Sequence, residues 1–405
     1  MNAPRIVITG MGAITPLGPD LPSTWSALLA GESGVTKLDA PWAAAAPVQI
    51  AGLVQHDVAA DLGHVAARRL DRSQQLAVLA AREAWRDAGQ PEAPPERRAV
   101  VIGSGVGGAQ TLLDQHDVLA EQGPRRVSPY TVPRLMPNGG AAAVSLDLEA
   151  RAGAHAPTSA CASGTEALWW AWMLLRAGLA DLVIAGGTDA CIAPVSLAGF
   201  ARIGALSRAE NLPPEDASRP FDTARDGFVM SEGAAVLVLE REDDARARRA
   251  RVHAVLAGGA VTSDAYGITA PSRDGQVDAL RQTLHRSGLE PSDIDHVNSH
   301  ATGTPTGDLV EAQALARVLP HRPAVTATKA STGHLLGAAG ALEAALTART
   351  LATGIAPAIR NLTDPAEGVD LDLIHGSHRH ARIQAALSSS FGFGGHNAVV
   401  ALTRP

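Results

Sequence analysis

A repeat between the two halves of the chain constrains its fold more than any other sequence feature. Residues 74–103 and 277–300 each contain a helical stretch that ends at a glycine, a proline-containing turn and a strand-like run. Residues 157–164 resemble 325–334 in the same way, and both segments precede a helical stretch. A repeat of this length indicates a duplicated structural unit, so we predict a chain built from two similar halves.

The alternation of strands and helices predicts the fold class. Short apolar runs alternate with long Ala-, Leu- and Arg-rich stretches, which is typical of α/β folds with largely parallel, buried sheets. The predicted strands are 5–9, 98–103, 180–186, 234–240, 252–256, 296–299, 324–326 and 398–402. The predicted helices are 74–88, 164–176, 277–287, 308–318 and 340–351. The charged stretch 241–251 is predicted to join the two halves, which are residues 1–245 and 246–405.

Composition excludes several classes of protein. A net charge of −7 argues against a general nucleic-acid binder. The two cysteines, Cys161 and Cys191, cannot build a disulfide framework or a four-thiolate zinc site, which favours a reducing compartment. The sequence has neither the pattern of a signal peptide nor an apolar run long enough for a membrane helix. We therefore expect a cytoplasmic protein that does not contact membranes.

Cys161 is the first candidate for chemistry. It lies among small residues in 158–167, where a strand is expected to end and a helix to begin. Backbone N–H groups at a helix start are expected to lower the pKa of a thiol placed there, and they can hold an oxyanion. An isolated cysteine is more often a small buried apolar residue, and we interpret Cys191 in that way.

Three further segments carry candidate groups. His300 follows a predicted strand and begins a Gly/Thr/Pro loop, where α/β folds place functional side chains. His334 ends a segment that begins at Lys329, one of only two lysines, and a chain that otherwise uses Arg suggests a need for a compact ammonium group here. Phe391 and Phe393 lie beside glycines whose backbone can approach a ligand closely.

Together these segments resemble the β-ketoacyl synthase family of the thiolase superfamily, and in particular its elongating, type II synthases. The resemblance runs from 6–12 through 132–138 and 218–228 to 388–397, where 394–397 has an actinobacterial pattern, so it covers essentially the whole chain. It implies a five-layer αβαβα fold built from two duplicated halves. It also implies an acyltransferase, a 3-oxoacyl-[acyl-carrier-protein] synthase of fatty-acid-type elongation, without metal or organic cofactor.

The resemblance further implies roles for individual residues. Cys161 would accept the acyl chain, while His300 and His334 would bind the malonyl thioester, assist its decarboxylation and hold the enolate. Lys329 would form a hydrogen bond near His334. The other implied site residues are Glu343 and Asp308 as supports, Thr302 and Thr304 at the phosphopantetheine arm, Phe393 as a gate and oxyanion-hole partner of Cys161, and Val106 in the acyl pocket.

The implied partners are an acidic acyl carrier protein and a second copy of the chain. The docking positions implied by the resemblance are Arg68 and Arg69, which we expect on a helix of the first half, and Arg125 and Arg126. One alternative is the catalytic ketosynthase of a type II polyketide or polyene pathway, paired with a chain-length factor. Residues 161–164 and 300–304 resemble fatty-acid synthases more than aromatic-polyketide ones, whereas Lys-Ala-Ser-Thr at 329–332, in place of the commoner Lys-Ser-Met-Thr, weakens the fatty-acid assignment.

Other members of the superfamily fit less well. A thiolase would need a second catalytic cysteine in the C-terminal half, and an initiating synthase would have Asn in place of His334. A chain-length factor itself would lack the nucleophile that Cys161 provides.

Overall fold

The computed structural model describes residues 4–208 and 212–405. Its strands are β1 (Ile6–Ile14), β2 (Val35–Lys37), β3 (Ile50–Gly52), β4 (Arg98–Gly103), β5 (Ala154–His155), β6 (Leu182–Asp189), β7 (Gly233–Arg241), β8 (Ala254–Ser263), β9 (His296–Asn298), β10 (Ala324–Thr326), β11 (Ile355–Ala356), β12 (Asp372–Leu373), β13 (Arg379–His380), β14 (Ala385–Gly392) and β15 (His396–Thr403). Its helices are α1 (Leu21–Leu29), α2 (Val58–Leu62), α3 (His64–Ala67), α4 (Arg72–Asp87), α5 (Ala109–Gln122), α6 (Thr131–Leu135), α7 (Gly139–Asp147), α8 (Ser163–Arg176), α9 (Pro194–Arg202), α10 (Glu242–Ala247), α11 (Arg273–Ser287), α12 (Pro305–Val318), α13 (Lys329–Thr332) and α14 (Ala339–Thr353). None of the helices in these described ranges is long and apolar enough to cross a membrane.

The main sheet repeats one strand order. From the edge to the middle of the sheet, the first half contributes β5-β4-β6-β7-β1 and the second contributes β10-β9-β14-β15-β8. Each strand of the first series therefore occupies the position of its counterpart in the second. The directions repeat as well, since β4 is parallel to β5 and β6 just as β9 is parallel to β10 and β14. Antiparallel pairing of β1 with β8 joins the two copies. The predicted duplicated α/β fold is confirmed.

The expectation of largely parallel sheets is wrong for part of each copy. In the first half β7 runs antiparallel to β6 and β1, and in the second β15 runs antiparallel to β14 and β8. The physical reason is clearest for β14 and β15, which are joined by a tight turn with positive φ at Gly394 and Gly395. A connection that short permits only antiparallel pairing.

Helices and sheet copies form five layers. The central layer consists of α8 and α14, which pack against each other and against strands of both copies. The outer face of the first copy is covered by α4 and α7, and that of the second by α11, on which α12 packs. Helix α10 lies within the predicted junction, while the division at residues 245 and 246 stays a prediction.

Glycines bring four backbone segments into contact at the carboxyl end of β6. A Cβ on Gly187 would lie 2.3 Å from the carbonyl oxygen of Gly337, and a Cβ on Gly164 would lie 2.8 Å from the same atom. A Cβ on Gly337 would lie 2.5 Å from the amide nitrogen of Gly105. Side chains are therefore excluded, and the start of α8 is held against the turn that precedes α14.

Candidate active site

Residues from both halves line one cavity of about 370 Å³. Cys161 lies in the turn before α8, His300 follows β9, and His334 follows α13. The two imidazole rings are nearly perpendicular, with centroids 5.5 Å apart. The structure thus brings together three side chains that are far apart in sequence. The other predicted site residues that line this cavity are Thr302, Thr304, Asp308 and Phe393.

Cys161 is presented by a strained turn. Ala160 has a φ of +51°, an unusual conformation for a residue with a side chain. The turn is held by Ser163, whose hydroxyl donates to the carbonyl of Ala160 at 2.7 Å and accepts from the amide of Ser159 at 3.0 Å. The backbone N–H groups of Cys161 and Phe393 both interact with the thiol sulfur. If the sulfur carried an acyl group, an oxyanion formed on that group could therefore accept hydrogen bonds from both amides.

The expectation of a lowered thiol pKa is wrong. Burial, as the largest effect, raises the pKa of the Cys161 thiol to about 12, although the Lys329 ammonium and the two amides act in the opposite direction. The negative charge of Asp189 raises this pKa further. The loss of hydration in an apolar cavity therefore outweighs the helix start, and the resting sulfur is a thiol.

The ammonium of Lys329 contacts His300, and its charge also acts on His334, near which it was predicted. Its Nζ is 3.5 Å from Nδ1 of His300 and forms a buried ion pair with Glu343. Because an ammonium group only donates, Nδ1 of His300 accepts and the ring proton lies on Nε2.

Both histidines of the cavity are neutral. Burial, with the nearby charge of Lys329, holds the pKa of His300 and of His334 well below the usual range of a histidine. Neither ring nitrogen of His334 has a hydrogen-bond partner among the residues that the structure describes. Each ring therefore offers one N–H donor that carries no positive charge.

Two carboxylates of α12 hold the loop that follows β9. Asp308 accepts from the amides of Thr302 and Gly303 at 3.0 and 3.1 Å, and burial raises its pKa to about 6. Glu311 accepts from the amides of His300 and Ala301, both at 2.7 Å, and burial raises its pKa to about 7. Sequence reasoning missed Glu311, although its place three residues after Asp308 puts it on the same helix face.

Aromatic rings form one wall of the cavity. The ring centroid of Phe200 lies 5.5 Å from that of Phe228 and 6.3 Å from that of Phe393. The ring centroids of Phe228 and His334 are 5.2 Å apart. Phe200 and Phe228 were not predicted, because an isolated Phe in sequence is read as a core residue. The wall places Phe393 in contact with a continuous apolar surface next to Cys161.

Other predicted residues lie outside the cavity lining. Val106 is 39% exposed, so its place in an acyl pocket stays a prediction. Arg68 and Arg69 follow α3 instead of lying within a helix, because α4 begins only after its N-cap Asp71. The guanidinium carbon of Arg69 lies 5.8 Å from the ring centroid of Tyr130, close in sequence to the other predicted arginine pair. The arginines of both pairs are exposed.

Comparison with known proteins yields matches over the whole chain. Residues 3–245 match the β-ketoacyl synthase N-terminal domain and residues 253–363 match its C-terminal domain. A 3-oxoacyl-[acyl-carrier-protein] synthase 2 of Mycobacterium leprae is 41% identical over 403 residues, covering 98% of this chain and 96% of the relative.

Solved structures match equally well in extent. A β-ketoacyl synthase from Burkholderia phymatum superimposes with a TM-score of 0.93 at 32% identity, over 99% of this chain and all of the other. A type II polyketide synthase complex, in which an acyl-carrier protein is bound to its ketosynthase, matches with a TM-score of 0.92 at 27% identity over the full length of both chains.

Proposed function

Because the chain belongs to the β-ketoacyl synthase family, we propose that its Cys161 cavity joins an acyl chain to the two-carbon unit of a malonyl thioester. The chain is a 3-oxoacyl-[acyl-carrier-protein] synthase of type II, an acyltransferase. One observation carries the roles of the residues: a thiol from the first half and two neutral imidazoles from the second half line the same cavity.

In the first half-reaction the sulfur of Cys161 attacks the carbonyl carbon of an acyl thioester. The bond between that carbon and the carrier's sulfur breaks, and the thiol proton leaves with the carrier's sulfur. The negative charge on the carbonyl oxygen is held by the amides of Cys161 and Phe393, the two that interact with the thiol.

In the second half-reaction the malonyl thioester loses its carboxylate as CO₂. The electron pair of the broken C–C bond moves to the thioester oxygen, where N–H donors of His300 and His334 stabilise the enolate. Lys329 fixes the proton of His300 on Nε2 by approaching Nδ1. The enolate carbon then attacks the acyl carbon on Cys161, and the released sulfur takes up a proton from water.

The carrier protein docks, in this proposal, on the exposed arginines of two neighbouring segments. Arg69 approaches Tyr130, which lies four residues after Arg126, and this contact supports a docking surface shared by the pair at 68–69 and the pair at 125–126. An acidic carrier would be steered there despite the net charge of −7. Reversing the charge of Arg69 by Arg69→Glu should raise KM for the carrier substrate with little change in kcat. Arg281→Glu, an exposed arginine on α11, is the matched control.

A second copy of the chain is proposed to cover the apolar surface of α5 and α6. Leu112 and Leu119 on α5 are 53% and 47% exposed, and Val132 on α6 is 62% exposed. The edge strand β5 leaves one side unpaired at the end of the sheet. Light scattering should report a dimer, and Val132→Lys should shift it towards a monomer. A monomeric wild-type protein would contradict the homodimer and favour the alternative heterodimer with a chain-length factor.

Fatty-acid elongation is favoured over a polyketide pathway by the comparisons, since identity is 41% to the mycobacterial synthase and 27% to the polyketide ketosynthase. Free Cys161 and Cys191 thiols support a cytoplasmic setting. The pathway is decided by the products: saturated chains from the enzyme with fatty-acid partners support elongation. Activity that requires a co-expressed second subunit would support the polyketide alternative.

The central experiment supplies malonyl-carrier protein and a series of acyl-carrier proteins to the purified enzyme, with products identified by mass spectrometry. Cys161→Ala should abolish condensation, because no thioester can form. Cys191→Ala is the matched control and should retain it, since Cys191 is buried and outside the cavity lining. Condensation by the Cys161→Ala enzyme would refute the proposed role of this thiol.

A further inference from the structure

Asp189 is a fully buried carboxylate at the end of β6 that no step of the proposed reaction uses. Its Oδ1 accepts from the hydroxyl of Ser104 at 2.7 Å and from the amide of Val106 at 3.3 Å. Its Oδ2 accepts from the amides of Gly105 at 3.0 Å and Gly337 at 2.6 Å. Three of these donors are backbone N–H groups, which cannot accept, so a protonated carboxyl would place a donor against a donor. Burial raises the pKa of the Asp189 carboxyl, whereas the hydrogen bonds from Ser104 and the backbone amides act in the opposite direction and favour the carboxylate form.

The four donors come from two loops that belong to different halves of the chain. Ser104, Gly105 and Val106 follow β4 in the first half, whereas Gly337 lies three residues after His334 in the second. The first loop also touches the turn of Cys161, because a Cβ on Gly105 would lie 3.2 Å from the carbonyl oxygen of Ala160. The Asp189 carboxylate thus connects the turn after His334, through Gly337, with the turn of Cys161, through Gly105.

We propose that Asp189 is a positioning residue for condensation: its carboxylate ties the turn after His334 to residues 104–106, which lie against the turn that carries Cys161. The inference rests on the proposed roles of those two residues. Condensation requires the acyl carbon on the sulfur and the enolate held by the imidazole to meet within about 3–3.5 Å, and small misplacements are costly. Backbone contacts between glycines leave the two turns close, and the hydrogen bonds of Asp189 fix their spacing.

The charge of Asp189 provides a readout that a purely structural residue lacks. A buried negative charge near the sulfur disfavours the thiolate, and Asp189 is one of the groups that raise the pKa of the Cys161 thiol. Asp189→Asn removes this charge and turns an amide N–H₂ towards backbone donors. The substitution should therefore make the thiol easier to ionise and, at the same time, disturb the spacing of the two turns.

The experiment measures condensation and the alkylation of Cys161 by iodoacetamide, located by peptide mass spectrometry, over a range of pH. For Asp189→Asn, alkylation of Cys161 should be at least about threefold faster at each pH below 9, because the thiolate fraction rises, while condensation falls at least about tenfold. Asp87→Asn, a carboxylate on α4 that does not contact either turn, is the matched control for loss of an acidic group. An unchanged alkylation rate or wild-type condensation would overturn the proposal.

A second variant keeps the test decisive if Asp189→Asn does not fold. Ser104→Ala removes one of the four hydrogen bonds of Asp189, together with the bond from the Gly107 amide to the Ser104 hydroxyl, and keeps the carboxylate. The alkylation rate should therefore stay unchanged while condensation falls severalfold. Wild-type condensation by Ser104→Ala in that case would overturn the positioning role. Alkylation is read without turnover, so failure of the proposed function, seen as condensation by Cys161→Ala, is distinguishable from failure of this inference.

Discussion

The buried ion pair of Lys329 and Glu343 allows a stability prediction with a worked magnitude. The two side chains are 1% and 2% exposed, so neither charge is hydrated when its partner is removed. Loss of one partner of such a pair costs about 3–5 kcal/mol, a large part of the roughly 5–15 kcal/mol that stabilises a typical domain. We therefore expect Lys329→Met and Glu343→Leu each to lower the free energy of unfolding by about 3–5 kcal/mol.

The double variant should behave differently from the single ones. Replacing both partners by apolar residues of similar volume leaves no unpaired charge and is often nearly neutral. The Lys329→Met/Glu343→Leu enzyme should therefore be more stable than either single variant, but inactive, because no ammonium approaches Nδ1 of His300. Guanidinium unfolding followed by tryptophan fluorescence, at fixed protein concentration, measures the stabilities.

An exposed pair provides the control for this double-mutant cycle. Arg82 and Asp147 are 2.6 Å apart but 39% and 21% exposed, so Arg82→Met and Asp147→Leu should each cost about 1 kcal/mol or less. Two results would show that Lys329 and Glu343 do not act as a desolvated ion pair. One is a loss of unfolding free energy for Glu343→Leu no larger than that for Asp147→Leu. The other is a loss for Lys329→Met/Glu343→Leu equal to the sum of its two single losses.

Three further predictions follow from burial. Because burial holds the pKa of His300 and of His334 well below the usual range of a histidine, neither ring should gain a proton as the pH drops from 7.5 to about 6.5, and ring-proton NMR shifts that titrate near 6.5 would contradict neutral donors. Burial also lowers the pKa of His296 to about 4. As the pH falls, His296 gains a proton in the unfolded chain before it does so in the folded protein. The stability present above pH 6.5 is therefore reduced by about 3 kcal/mol as the pH falls towards 4. His296→Leu should remove this contribution to acid unfolding. Gly164→Ala should cost about 1–3 kcal/mol in chemical unfolding, because its Cβ would lie 2.8 Å from backbone atoms, whereas Gly199→Ala, with open space around it on α9, should not destabilise.

Much of the site could be predicted from the sequence because its residues follow strands of the repeat. Cys161, His300 and His334 each lie in a loop after a buried strand or before a helix, and the duplicated fold brings these loops to one place. The effects of residues distant in sequence on the site were harder to predict. The thiol pKa was predicted in the wrong direction because sequence shows the helix start, whereas the dominant effect is desolvation by distant elements.

Residues that act through backbone groups escaped prediction. Asp189 is one aspartate at the end of an apolar run, and nothing in the sequence shows that three amides from two loops converge on it. Glu311 was missed for the same reason, since its partners are the amides of His300 and Ala301. Strand β14 was missed as well, because Ser388–Ser390 lack apolar side chains, yet these three serines are buried in the centre of the sheet.

The matching strand order of the two halves places an approximate twofold axis between α8 and α14. The axis separates the chemistry, since the nucleophile belongs to one copy and both imidazoles belong to the other. Neither copy alone therefore contains all the residues that the proposed condensation requires. Splitting the chain within 241–251 should yield two inactive fragments, and activity should return only when both are present and reassociate.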